Sequence, residues 1–134
     1  MDDQIMVKRA FDDFKTNIAA FLDGQIRNSY VFGDDIISVY TRKGVHNING
    51  AMLQCFDIGT ITIADQYRSQ GLGMRVINHM HTINPYRCTF IESLINEQLH
   101  QRLIRMGWKS VKDSVPPSVF KITPLPPPPI SNMM

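Results

Sequence analysis

The stretch from Ile58 to Ile83 constrains this chain most. It opens with Ile58-Gly59-Thr60-Ile61-Thr62-Ile63, a short β-branched run that reads as a strand. It closes with Val76, Ile77, Met80 and Ile83 on one face at helical spacing. Between them lies Asp65-Gln66-Tyr67-Arg68-Ser69-Gln70-Gly71-Leu72-Gly73-Met74-Arg75, a turn with two glycines. A strand that runs through such a turn into a helix leaves the first N–H groups of that helix unpartnered. Those donors and the positive end of the helix dipole form an anion site, most often for phosphate. Gly71 and Gly73 can take positive φ and carry no Cβ, so the loop can close on a diphosphate. Arg68 adds a permanent, forked cation. The order Arg-x-x-Gly-x-Gly lacks the Lys-Ser/Thr of a Walker loop and the third glycine of a dinucleotide fingerprint.

At 134 residues, 43% hydrophobic and 19% charged, the chain reads as one ordinary soluble domain. A net charge of +2, with the basic residues scattered, gives no signal for nucleic acid or an anionic membrane. No apolar run approaches the roughly 20 residues that span a bilayer. Asp2-Asp3 at the start is unlike the basic head of a signal peptide. Cys55 and Cys88 sit in separate apolar runs and read as buried free thiols in a reducing compartment, so a cytoplasmic location is expected.

Taken in order, residues 3 to 22 carry Ile5, Ala10, Phe11, Phe14, Ile18 and Phe21 as an amphipathic stripe, in one helix or two. Tyr30 to Phe32 predicts a short strand. Ile36 to Thr41 predicts a second, ended by Lys43-Gly44, which places His46 in a hairpin loop. Ile48 to Phe56 predicts a third strand, ahead of the one at 58 to 63, and together these suggest an antiparallel meander. Helix 71–83 stops at Asn84-Pro85. A strand at 89–93, parallel to 58–63, completes a right-handed βαβ unit. A helix from 96 to 106 buries Leu99, Leu103 and Met106, and strands at 108–111 and 119–123 follow as edges able to pair or swap in a homodimer. The domain is expected to span 1–123, with the Pro-rich segment 124–134 as a frayed polyproline tail or a docking peptide.

Arg68-x-x-Gly71-x-Gly73 after a strand, with Tyr67 before it, resembles the pyrophosphate loop of the GNAT N-acyltransferase superfamily. Asn96, Leu99, Leu103 and Gly107-Trp108 match the spacing of that superfamily's second conserved segment. Residues 36 to 123 are also similar to small GNAT-like proteins of tailed bacteriophages, through Tyr40-Thr41-Arg42-Lys43, Asn49-Gly50-Ala51-Met52 and Pro116-Pro117-Ser118-Val119-Phe120-Lys121. The resemblance implies an α/β fold with a mixed, mostly antiparallel central sheet, helices on both faces and a βαβ acyl-CoA-binding core. It implies acetyl-CoA as cofactor and direct N-acetyl transfer to a primary amine of a protein or small molecule. Arg68, Ser69, Gln70, Gly71, Leu72, Gly73 and Met74 would then hold the pyrophosphate. Ile61, Thr62 and Ile63 would hold pantetheine along a splayed strand edge, and Asn96 would hold its thiol end.

The chain departs from the superfamily in two places. No acid lies on strand 58–63, so Glu92 and Asp57 are the candidate general bases, with His46 as a further substitute. The position seven after Asn96, where the superfamily often places a proton-donating tyrosine, is Leu103, which leaves His100 as a candidate to face the thiol and Tyr67 and Tyr40 as other hydroxyls. A GNAT-shaped binder of a host factor, without turnover, is the alternative, and a plain structural module is the third reading. His79 and His81 are two apart and diverge on a helix, and the cysteines lack ligand spacing, so no metal is expected.

Overall fold

The computed structural model describes residues 2–24, 27–68, 70–94 and 96–124. Ser69 and all of the Pro-rich segment after Pro124 lie outside them. The helix α1 (Asp3–Asp23) is one uninterrupted element, capped by the Asp2 carboxylate, which accepts from Gln4 N at 3.0 Å. Strands β1 (Ser29–Gly33), β2 (Ile37–Ile48) and β3 (Ala51–Ile63) form an antiparallel meander. After β3 come a single 3-10 turn at Asp65–Tyr67, α2 (Leu72–Ile83), β4 (Cys88–Ile91), α3 (Glu97–Arg105), β5 (Lys109–Ser110) and β6 (Val119–Ile122). The sheet order is β1-β2-β3-β4-β6-β5, and β3 with β4 is the parallel pair that α2 connects.

Two expectations about the strands change. The turn lies at Asn49-Gly50, with φ of 52° and 90°, and not at Lys43-Gly44. Both central residues of a tight hairpin turn need positive φ, and Asn-Gly supplies it cheaply. The strands expected at 48–56 and 58–63 are therefore one, β3, and His46 lies on a strand rather than in a loop. At the far side of the sheet, β6 is interior between β4 and β5, so edge pairing with a second copy would have to use β1 or β5. In α3, Leu103 is buried as expected, but Leu99 is half-buried and Met106 exposed, because Gly107 at φ 95° turns the chain away.

Neighbouring residues on a strand point to opposite faces, and the core divides accordingly. Phe56, Ile58, Ile91 and Val119 join a large cluster with apolar side chains of all three helices. Their neighbours Cys55, Phe90 and Phe120, with Ile48 and Cys88, form a smaller cluster on the opposite face, which holds no helix residue among those described. α1 seats on α2 through Phe11, whose ring lies 5.9 Å from that of His79 and 4.4 Å below the Arg75 guanidinium.

The pairing of β2 with β3 slips between Tyr40 and Thr41, leaving Gly59 as the extra residue of a bulge. Bulges bend a strand, and this one lies just where β3 parts from β4. A Cβ at Gly59 would stand 2.7 Å from Cδ2 of Tyr40. Gly59→Val is therefore expected to lower stability by about 2 kcal/mol through overpacking. A urea titration that shows an unchanged midpoint would contradict this close packing.

Candidate active site

β3 and β4 stay paired from Cys55/Cys88 to Ile58/Ile91, and the last rung is Glu92 N donating to Ile58 O at 3.0 Å. Ser93 then takes φ 48°, and Leu94 N bonds Pro117 O at 2.7 Å, so the chain turns towards β6. β3 runs on to Ile63 with β2 on its other side, which opens a wedge. Ala64 N donates to Ile36 O at 2.9 Å. Counting back along an antiparallel ladder from that bond, Thr62 and Thr60 address β2, while the backbone groups of Ile61 and Ile63 face the gap. The Ile63 carbonyl accepts Arg68 Nε at 3.0 Å, and the Ile61 backbone is left facing the wedge.

Beyond the wedge lies the glycine turn. Gly71 takes φ 76° as the N-cap of α2, and no side chain among those described caps this helix. The first helical bond is Arg75 N to Gly71 O at 3.0 Å, so the N–H groups of Leu72, Gly73 and Met74 precede the ladder. Arg68 is held by Asp65 at 3.1 Å, both largely exposed. Arg68, Gly71 to Met74, Ile61 to Ile63 and the first turns of α3 line a cavity of about 630 Å³. Gln70 is exposed in the turn ahead of it. From α3, the lining includes Asn96, Leu99 and Arg102. Arg102 was not foreseen; its spacing of three from Leu99 is the signal that could have found it.

Asn96 also caps α3, its Oδ1 accepting from Leu99 N at 3.0 Å. Of the residues considered for proton donation, Tyr67 borders the cavity with its ring buried, and its hydroxyl points at Met6 Sδ, 4.0 Å away. Tyr40 covers Gly59. His100 turns the other way, with Nε2 2.9 Å from Ser110 Oγ, and is not part of the cavity wall. Leu103 is sealed in the core.

The two candidate bases come together on the face of the smaller cluster. Asp57, expected at a strand entry, lies inside β3 and is 1% exposed. Its Oδ2 accepts from Arg42 Nε at 3.1 Å and lies 2.8 Å from His46 Nε2. Arg42, Gly44 and His46 are alternate residues of β2 on the same face, and a Cβ at Gly44 would lie 2.5 Å from Asp57 Oδ2. The carboxylate thus needs this glycine. Arg42 Nη2 pairs with Glu92 Oε1, so one guanidinium bridges both acids. Its bond to Asp57 holds the Arg42 pKa above the ordinary value. His46 stacks on Phe90 with centroids 3.7 Å apart. His46, Asp57 and Glu92 offer three ligand atoms within 4.8 Å, but the guanidinium already supplies the positive charge between the carboxylates.

Two further pairs of titratable side chains pack against their neighbours. Cys55 and Cys88 are in register on β3 and β4 and fully buried; the Cys55 sulfur and burial push the Cys88 thiol up. His79 and His81 diverge, His79 onto Phe11 and His81 onto the Thr89 hydroxyl at 2.7 Å, and burial lowers the pKa of both. No described helix is long and apolar enough to cross a membrane.

No family model and no curated protein sequence matches the chain. Solved structures do. A mutant AtaT toxin bound to the C-terminus of the antitoxin AtaR and acetyl-CoA is 16% identical at TM-score 0.55, covering 66% of this chain and 59% of that one. The KacTA–DNA complex is 20% identical at TM-score 0.55, covering 86% and 80%. AtaT complexed with acetyl-methionyl-tRNAfMet is 13% identical at TM-score 0.54, covering 65% and 62%. The chain thus spans about 59% of the length of the AtaT toxin in the first of these. With the wedge between β3 and β4, the glycine turn at α2 and this likeness in hand, the chain adopts the fold of the GNAT acetyltransferases.

Proposed function

We infer that the protein is an acetyl-CoA-dependent N-acetyltransferase that passes the acetyl group directly to a primary amine. The observation that carries this reading is the meeting, in one cavity, of an open strand edge at Ile61 and a helix start at Gly71 to Met74 that no described side chain caps. The donor set fits acetyl-CoA. A diphosphate suits the N–H groups of Leu72, Gly73 and Met74 with Arg68 beside them. The amide groups of pantetheine suit the gap-facing backbone of Ile61 and Ile63, with Asn96 across the cavity. A backbone N–H at Ile61 beside the thioester carbonyl would polarise it without any special side chain. Acetyl-CoA in the matching AtaT complex supports the same ligand.

The acceptor classes are amines of proteins, small molecules or aminoacyl-tRNA, the last suggested by the acetyl-methionyl-tRNAfMet bound to AtaT. The resemblance to GNAT-like proteins of tailed bacteriophages makes a host-cell component a fitting acceptor. A binder without turnover is the second reading, favoured by Leu103, which stands buried where a proton-donating tyrosine would be expected. Calorimetric titration with acetyl-CoA and with free CoA tests the first: micromolar binding is expected. No heat with either ligand would overturn both the acetyl-CoA site and the enzyme.

A further inference from the structure

We propose that Arg102 binds the ribose 3′-phosphate of the acyl-CoA donor and makes the cavity selective for the 3′-phosphorylated cofactor. This rests on the acetyltransferase reading above and deepens it. Two arginines line the cavity, Arg68 and Arg102, and among the described residues its lining holds no acid. The two differ in what they already hold. Arg68 is engaged, its Nε donating to the Ile63 carbonyl at 3.0 Å and its Nη1 lying 3.1 Å from Asp65 Oδ1. No ion pair among the described residues includes Arg102, which is exposed on α3 with its side chain against the cavity.

The charges of the ligand decide what Arg102 meets. Acetyl-CoA carries a diphosphate and, on its ribose, a phosphate monoester with about −1.5 to −2 charges at pH 7. The start of α2 with Arg68 answers the diphosphate, the open edge at Ile61 and Ile63 answers pantetheine, and the acetyl group is neutral. The monoester is then the anion still without a partner, as Arg102 is the lining cation without one. Position agrees. Arg102 stands six residues beyond Asn96, about 9 Å along the helix axis, so it lies away from the thiol end and still in the cavity wall. Gln98, four residues before Arg102, shares its stripe of α3 and lines the same wall. A forked guanidinium and a neighbouring amide match the oxygens of a phosphate monoester.

An arginine in the last turn of a helix also favours the negative end of the helix dipole, whatever it faces. Arg105 separates that effect from ligand binding. It is exposed in the same last turn of α3 but is absent from the cavity wall. The two arginines share the dipole and the long-range field, and they differ in facing the ligand.

The test is calorimetric titration of the full chain with CoA and with dephospho-CoA, which lacks only the monoester. Acetyl-CoA and succinyl-CoA, which adds a carboxylate to the acyl group, are titrated beside them. Wild type is expected to bind CoA about 10-fold more tightly than dephospho-CoA. Arg102→Gln should bring CoA down to the level of dephospho-CoA while leaving dephospho-CoA within about twofold. Arg102→Lys should keep part of the preference, since it keeps the charge and loses the fork. Arg105→Gln should keep all of it. Melting temperatures should stay at the wild-type value, because both side chains are exposed. Equal losses for CoA and dephospho-CoA in Arg102→Gln, or no loss at all, would overturn the proposal and leave the acetyl-CoA site standing. A loss confined to succinyl-CoA would overturn it too, by placing Arg102 at the acyl end. A wild-type protein that binds neither CoA nor dephospho-CoA would overturn the acetyltransferase reading and this proposal with it.

Discussion

Replacing Gly73 by valine is expected to abolish acetyl-CoA binding, by at least 100-fold in affinity, while the protein stays folded. Gly73 is the second residue of α2 and lies in the cavity wall. A Cβ at this position would meet only Cγ1 of Ile63, at 3.9 Å, which is ordinary contact. The protein itself therefore tolerates the side chain, and valine in a helix is slightly better than glycine. What the valine would fill is the space between the start of α2 and the end of β3, where the diphosphate is inferred to lie. Gly71→Val is the less informative change, because φ of 76° strains a β-branched residue and mixes a folding defect with a binding one. Titration of Gly73→Val with acetyl-CoA, beside a thermal melt, checks this. Unchanged affinity would remove the glycine turn from the ligand site.

The second large effect is on stability. Asp57→Ala is expected to destabilise the protein by about 3 kcal/mol and to lower its melting temperature by roughly 10 °C. The buried carboxylate is the shared partner of Arg42 and His46, and its backbone carbonyl accepts the Thr41 hydroxyl. Removing it leaves a guanidinium and an imidazole facing a void lined by Gly44. The estimate lies at the lower end for a broken buried pair because Arg42 is 39% exposed and can turn to solvent. Its Oδ1 has no hydrogen-bond partner among the described residues, so the native pair is not fully satisfied either. An Arg42→Leu, Asp57→Leu double variant should recover part of the loss. A melt of Asp57→Ala within a degree or two of wild type would show the network to be energetically idle.

The elements most legible from sequence were those with a local physical cause. α1 carries an apolar stripe at helical spacing and an aspartate cap, and α2 follows a strand through a glycine that takes positive φ. The βαβ unit follows from chain chirality once strand, helix and strand are recognised. The hairpin tip is less legible: Lys43-Gly44 has turn composition, but Asn49-Gly50 is the pair whose two residues both take positive φ. Gly44 is glycine for another reason: a buried carboxylate occupies the space its side chain would fill. No local rule signals that.

From the sequence alone came the strand–glycine turn–helix at Ile58 to Ile83 and the expectation of an anion at its centre, because these depend on dihedral freedom and spacing within a few residues. The tertiary structure alone decided which acids matter together. Arg42, Asp57 and Glu92 lie on three different strands, and their meeting depends on strand register and on the bulge at Gly59. A one-residue slip of β2 against β3 would send Arg42 to the opposite face. Register is set by the packing of the whole sheet, so this ion-pair network becomes visible only when the strands are paired.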